Sequence, residues 1–172
     1  NNISNDKSLI GPYNVNQEGS GDMYNKGANL LHTIRQVIDN DSVFRNILRG
    51  LNKDYYHRTV DSKEVEAYFS KKSGKDLSKI FDQYLRTIKI PVLECKETGG
   101  NLSYRWSNCI TGFNMPVQLK NGGLWLSPST EWKKIPLTAA LKENSLEINK
   151  NFYVTLKMSG SFRDIPPPAA DG

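Results

Sequence analysis

The sequence predicts an α+β protein, with four helices packed together and then a small antiparallel β-sandwich. Two observations carry that prediction. From Asp22 to Ile88 the apolar residues recur at three- and four-residue steps, the spacing that lines one face of a helix. After Ile90-Pro91 the period falls to two, and short alternating segments are separated by Gly-, Pro- and Asn-rich breaks, as in short strands.

Residues 1–21 are rich in Asn, Gly and Ser and read as loop. The first helical stripe is Leu30, Leu31, Ile34 and Ile38, preceded by Tyr24, Gly27 and Ala28. The second is Val43, Phe44, Ile47, Leu48 and Leu51, with Asp41 placed to cap it. Asp61-Ser62-Lys63-Glu64 has the spacing of a capping box, in which the fourth side chain returns to the amide of the cap residue. Val65, Tyr68 and Phe69 give the third helix its buried face. Gly74 ends that helix and Asp76 opens a fourth, lined by Leu77, Ile80, Phe81, Tyr84, Leu85 and Ile88. Four amphipathic helices within residues 22–90 must pack on one another to bury their stripes.

Pro91 lacks an amide donor and biases Ile90 to extended backbone, so the last helix ends before it. Strands are expected near Val92–Lys96, Leu102–Ser107, Met115–Lys120, Leu124–Leu126, Trp132–Leu137, Leu146–Ile148 and Phe152–Lys157. Seven short strands within residues 91–159 suit a sandwich. Residues 160–172, with Pro166-Pro167-Pro168, are expected to form a flexible tail.

Composition narrows the functional classes. A hydrophobic fraction of 37% with 24% charged residues is ordinary for a globular protein. No apolar run is long enough for a membrane span. The net charge is +5, yet the excess is interleaved with acids through both halves, and the basic pairs Lys71-Lys72 and Lys133-Lys134 extend no further. A nucleic-acid surface would need clustering on one face, so no nucleic-acid partner is expected. The sequence opens on Asn1 without a signal-like apolar core, which leads us to expect a piece of a longer chain. The turn at Gly99-Gly100-Asn101 would set Cys95 opposite Tyr104 or Arg105, leaving Cys109 too far along the ladder for a disulfide; both read as free thiols.

Self-contained catalytic motifs are absent. The sequence has no HExxH, GxxxxGK[ST] or GxSxG, and His32 and His57 have no ligand-spaced partner. The chain is therefore expected to bind no metal or other cofactor by itself. Glu64 and Glu66 lie two apart on a helix and face different sides. One segment stands out, Gly19-Ser20-Gly21-Asp22-Met23-Tyr24, a glycine-rich loop running into a helix with a tyrosine in its first turn. A hydroxyl beside the positive end of a helix suits hydrogen-bond donation to a developing oxyanion, although packing alone would also account for an aromatic there.

Tyr24-Asn25-Lys26-Gly27-Ala28 with Leu31-His32-Thr33-Ile34-Arg35 resembles the "Y-x-K-G-a…L-h-x-l-R" pattern of gluzincin zinc aminopeptidases, the alanyl aminopeptidase family. The likeness continues collinearly through Asn40-Asp41-Ser42-Val43-Phe44, Ser73-Gly74-Lys75-Asp76-Leu77, Phe81-Asp82-Gln83-Tyr84-Leu85 and Ile90-Pro91-Val92-Leu93, covering roughly residues 12–120. Tyr84 stands where the family usually has tryptophan, and Asn40 where it has glycine.

The resemblance implies that residues 22–90 are the helical C-terminal subdomain of a thermolysin-like catalytic domain and residues 91–159 the β-sandwich behind it. It implies zinc in the full-length parent, held by an HExxH and a later Glu upstream of Asn1, and peptide substrates anchored by a GxMEN-type glutamate in the same missing region. In that family a zinc-bound water attacks the scissile carbonyl, and the tyrosine matching Tyr24 donates to the resulting oxyanion. A phenol stays protonated near neutral pH, its usual pKa being about 10. Tyr24 is thus the catalytic residue implied in this chain, which alone would be inactive. Two alternatives stay open: a non-catalytic scaffold on the same fold, or a binding module using Tyr104, Trp106, Trp125 and Trp132.

Overall fold

A computed structural model describes residues 3–14, 19–120, 123–138, 141 and 146–159 of the 172-residue chain. Among these, four helices precede six strands: α1 Met23–Ile38, α2 Asp41–Asp54, α3 Ser62–Ser73, α4 Ser78–Arg86, then β1 Val92–Thr98, β2 Asn101–Ser107, β3 Val117–Gln118, β4 Trp125–Leu126, β5 Lys133–Pro136 and β6 Thr155–Ser159. The α+β order is as the periodicity predicts. The expected tail beyond Gly160 lies outside the described residues.

Local chemistry sets the helix ends, with changes from expectation at the start of α2 and at both ends of α4, where Leu77 and not Asp76 holds the cap position before Ser78. Asp61 and Glu64 form the capping box: the Glu64 amide donates to Asp61 at 2.8 Å and the Asp61 amide to Glu64 at 3.0 Å. Gly74 closes α3 at φ +68°, where a side chain would be strained. The cap of α2, however, is Asn40 and not Asp41; the Asn40 side chain accepts the Val43 amide at 3.0 Å. Asp41 is the first helical residue, and its carboxylate instead takes the Arg35 guanidinium at the end of α1. α4 stops at Arg86, so Ile88 projects outward and does not join the buried stripe.

β1 and β2 form the predicted hairpin. Gly99 and Gly100, at φ +57° and +74°, supply the two left-handed positions of a tight turn. Cys95 pairs with Tyr104, and both cysteines are free thiols. The four-stranded sheet has the order β5-β2-β1-β6 and is mixed, since β6 runs parallel to β1. The expected all-antiparallel arrangement is corrected here. The chain reaches β6 from Tyr153, whose amide donates to Thr33 of α1 at 3.0 Å, so it joins the sheet at the same end where β1 begins. The Thr155 amide donating to Pro91 at 2.9 Å then fixes the register. β3 and β4 pair separately, and the strand expected near Leu146–Ile148 is reduced to a single bridge, Leu119 to Ile148.

One apolar core runs from the helices into the sheets, from Ile34, Ile47, Phe81 and Tyr84 to Leu93, Trp106, Phe113 and Met115. Where helices meet strands, polar side chains join them. The Gln83 side chain, fully buried, accepts the Ile110 amide at 2.7 Å and donates to the Lys89 carbonyl at 2.8 Å and to Thr87 at 3.1 Å. The Tyr84 hydroxyl donates to the Tyr153 carbonyl at 2.7 Å, and Asn108 donates to Ile90 at 2.9 Å. Residues 3–14 hold no helix or strand but are tied down, with the Ile10 amide on the Leu85 carbonyl at 3.0 Å.

Two outcomes follow from this junction. Limited proteolysis will leave Ile88 to Leu93 intact in the folded chain; early cleavage there would show a loose linker. Gln83→Leu keeps much of the volume but removes the hydrogen-bond partner of the half-buried Ile110 amide and of the Lys89 carbonyl. A hydrogen bond of this kind contributes about 0.5–1.5 kcal/mol, so urea unfolding is expected to show a stability loss of at least about 1 kcal/mol. A loss below about 0.5 kcal/mol, the range of ordinary surface changes, would mean that water or rearrangement satisfies both groups.

Candidate functional site at the start of the first helix

α1 presents two faces. The buried one is Lys26, Leu30, Thr33, Ile34, Val37 and Ile38, while Tyr24, Ala28 and Leu31 face outward. The stripe expected from sequence mixed these faces by counting Leu31 with the core. Tyr24 is the second residue of the helix and is 76% exposed, with its phenol in solvent.

Beside Tyr24, on the outer stripe, lies a groove of about 230 Å³ lined by Ala28, Leu31, His32, Arg35, Phe44 and Leu48. Met23, Leu31 and Leu48 are exposed large apolar side chains, and Leu31 and Leu48 line this groove.

The backbone under Tyr24 is held from two sides. Asp22, at the cap position, does not cap its own helix; its buried carboxylate accepts the amides of Ser4 at 3.0 Å and Asn5 at 2.6 Å. Lys26 is fully buried, and its ammonium donates to the Thr87 carbonyl at 2.9 Å. Burial lowers the Lys26 pKa, and the negative charge of Asp22 one turn earlier pushes it back up. In the sequence Lys26 stands out only as part of the Tyr24–Ala28 motif. The available signal was its spacing, since Lys26, Leu30, Ile34 and Val37 follow the helical repeat.

The other singled-out residues do not converge on this place. His32 is exposed on α1 beside the groove, whereas His57 sits in the loop after α2 at φ +53°, its ring edge-on to Tyr56. Glu64 is spent in the α3 cap, and Glu66 is buried against Arg86 at 2.6 Å. Tyr104 and Trp106 are core, and Trp106 donates to the Met115 carbonyl at 2.9 Å. Trp125 is half-buried against Phe152, and Trp132 lies outside between Lys96 and Arg105 at 4.2 and 4.6 Å. These four aromatics form no common surface. Among the described residues no three His, Cys, Asp or Glu side chains group as a metal site would require. No described helix is long and apolar enough to cross a membrane.

With this geometry in hand, the likeness to known proteins becomes specific. The chain is 25% identical over 142 residues to aminopeptidase N of Lactococcus lactis subsp. lactis, a match that takes in 82% of this chain and 16% of that protein. Its fold matches the crystal structure of Legionella pneumophila aminopeptidase A in complex with aspartic acid, with a TM-score of 0.61 at 18% identity over 84% of this chain and 19% of that one. No family model matches the chain. The chain is aminopeptidase-like in sequence and in fold, and spans less than a fifth of each relative.

Metal analysis of the purified chain after mild chelation is expected to find well under one zinc per molecule. Stoichiometric retained zinc would reveal a site that the described side chains do not form.

Proposed function

We propose that this chain is the end of the catalytic helices and the following β-sandwich of a gluzincin zinc aminopeptidase of the alanyl aminopeptidase type. Its contribution to the reaction is the hydroxyl of Tyr24. One conjunction supports the reading: a collinear aminopeptidase likeness across most of the chain, and a tyrosine in its motif that stands exposed beside an uncovered apolar groove. On this reading the groove and the phenol face the upstream region of the parent, which carries the zinc and the residues that hold it. Peptides are the substrates of that assembled enzyme, and this chain alone is inactive. The upstream sequence separates the reading from a non-catalytic scaffold, since an HExxH is either there or missing.

The chemistry asked of Tyr24 is limited. Attack on a peptide carbonyl turns its oxygen into an oxyanion, and a fixed donor within about 2.7–3.1 Å lowers the barrier to that state. The role is donation of one hydrogen bond without proton transfer, which asks for no base beside the phenol. A donor on a helix is also rigid, which keeps the cost of reorganisation low.

Tyr24→Phe in the full-length parent keeps the ring and removes one hydrogen bond made mainly in the transition state. The expected result is a fall in kcat of about 100–1000-fold, with KM little changed and zinc content unaltered. A Phe variant with near-normal kcat on an aminoacyl arylamide would sink the role given to Tyr24.

A further inference from the structure

Tyr24 has little of its own to hold it. Its side chain is exposed, Gly19 and Gly21 precede it, and no side chain caps α1. A helix end in that setting would fray. Two buried charges on either side prevent this. Lys26, at 0% exposure, reaches the Thr87 carbonyl, and Thr87 is the C-cap of α4, where a cation also meets the negative end of a helix dipole. Asp22 is buried at the other side of the turn, gripping the Ser4 and Asn5 amides. A lysine in a buried stripe costs desolvation that a leucine would not, so packing alone does not explain it. The same Thr87 is bonded by Gln83, which also holds Ile110, so the clamp continues from the turn carrying Tyr24 to the strand region.

We propose that Lys26 is a positioning residue for Tyr24. With Asp22 it clamps the first turn of α1 between the end of α4 and the segment at residues 4–5, so that the exposed hydroxyl is presented in one place. The structural half of this inference stands by itself; its effect on catalysis rests on the role proposed above for Tyr24.

The test separates the two. In this chain, Lys26→Met keeps the stem and removes the ammonium. Exchange of the two hydrogen-bonded amides of this turn, Met23 on the Ser20 carbonyl and Lys26 on the Asp22 carbonyl, is expected to speed up by at least about tenfold while the α2 and α3 amides keep their protection. In a chain labelled with 3-fluorotyrosine, the Tyr24 resonance, assigned by its loss in Tyr24→Phe, should move while the other seven of the eight tyrosines hold theirs. Unchanged exchange and an unmoved resonance would overturn the clamp. If Lys26→Met fails to fold, Asp22→Asn is read by the same two measurements and the same criterion. In the full-length parent, Lys26→Met should lower kcat about 10–100-fold and leave KM within about twofold, because misplacing a group by an ångström has an effect of that size. In a Tyr24→Phe background the same change should add less than about twofold, since its effect passes through the missing hydroxyl. Equal losses in both backgrounds would overturn the positioning role. A Tyr24→Phe parent of normal rate would instead remove the catalytic role of Tyr24 and leave the exchange result standing.

Discussion

The side chain of Gln83 is the constraint on which the arrangement turns. One amide group, shut away from water, accepts from Ile110, donates to Lys89 and donates to Thr87. A glutamine offers both a carbonyl and an amino group at one end, so a single residue satisfies backbone on both sides of the helix-to-strand junction. An apolar residue would pack as well but would leave the junction free to slide. Tyr84 reaches Tyr153 from the next position, adding a second fixed distance between α4 and the chain leading into β6.

From that junction the order passes outward to α1. Gln83 fixes Thr87, Thr87 receives Lys26, and the Lys26 turn carries Tyr24. Apolar packing is non-directional and would hold α1 against its neighbours without setting its axial position. Hydrogen bonds from buried charges set that position, because a displaced ammonium in this place would lose the Thr87 carbonyl while remaining desolvated. The molecule therefore keeps its most exposed tyrosine on one of its most constrained turns.

Much of the fold was legible because it rests on local rules. The capping box at Asp61 and Glu64, the left-handed stop at Gly74 and the Gly99-Gly100 hairpin each follow from residues within four positions of one another. The misreadings arose where a residue had a competing partner or an undecided face. Asp41 was free to leave the cap because Asn40 could take it and Arg35 offered a charge. Leu31 was counted with the core because an apolar residue next to a buried stripe looks alike whether it faces a neighbour or solvent. β6 could not be oriented from its own pattern, since alternation is the same in parallel and antiparallel ladders, and its direction comes from Tyr153 held on α1.

The sequence by itself determined the α+β order, the four helices within residues 22–90, the hairpin turn at Gly99-Gly100, and the presence of Tyr24 in the first turn of a helix. Periodicity and capping chemistry act over a few residues, and those are present in the string. Only the tertiary structure decided that Lys26 is buried and Tyr24 exposed, that Asp22 grips the segment before its helix, and that Gln83 ties the end of α4 to the loop after β2. Each depends on partners from 17 to 61 positions away, whose approach is set by how whole elements pack.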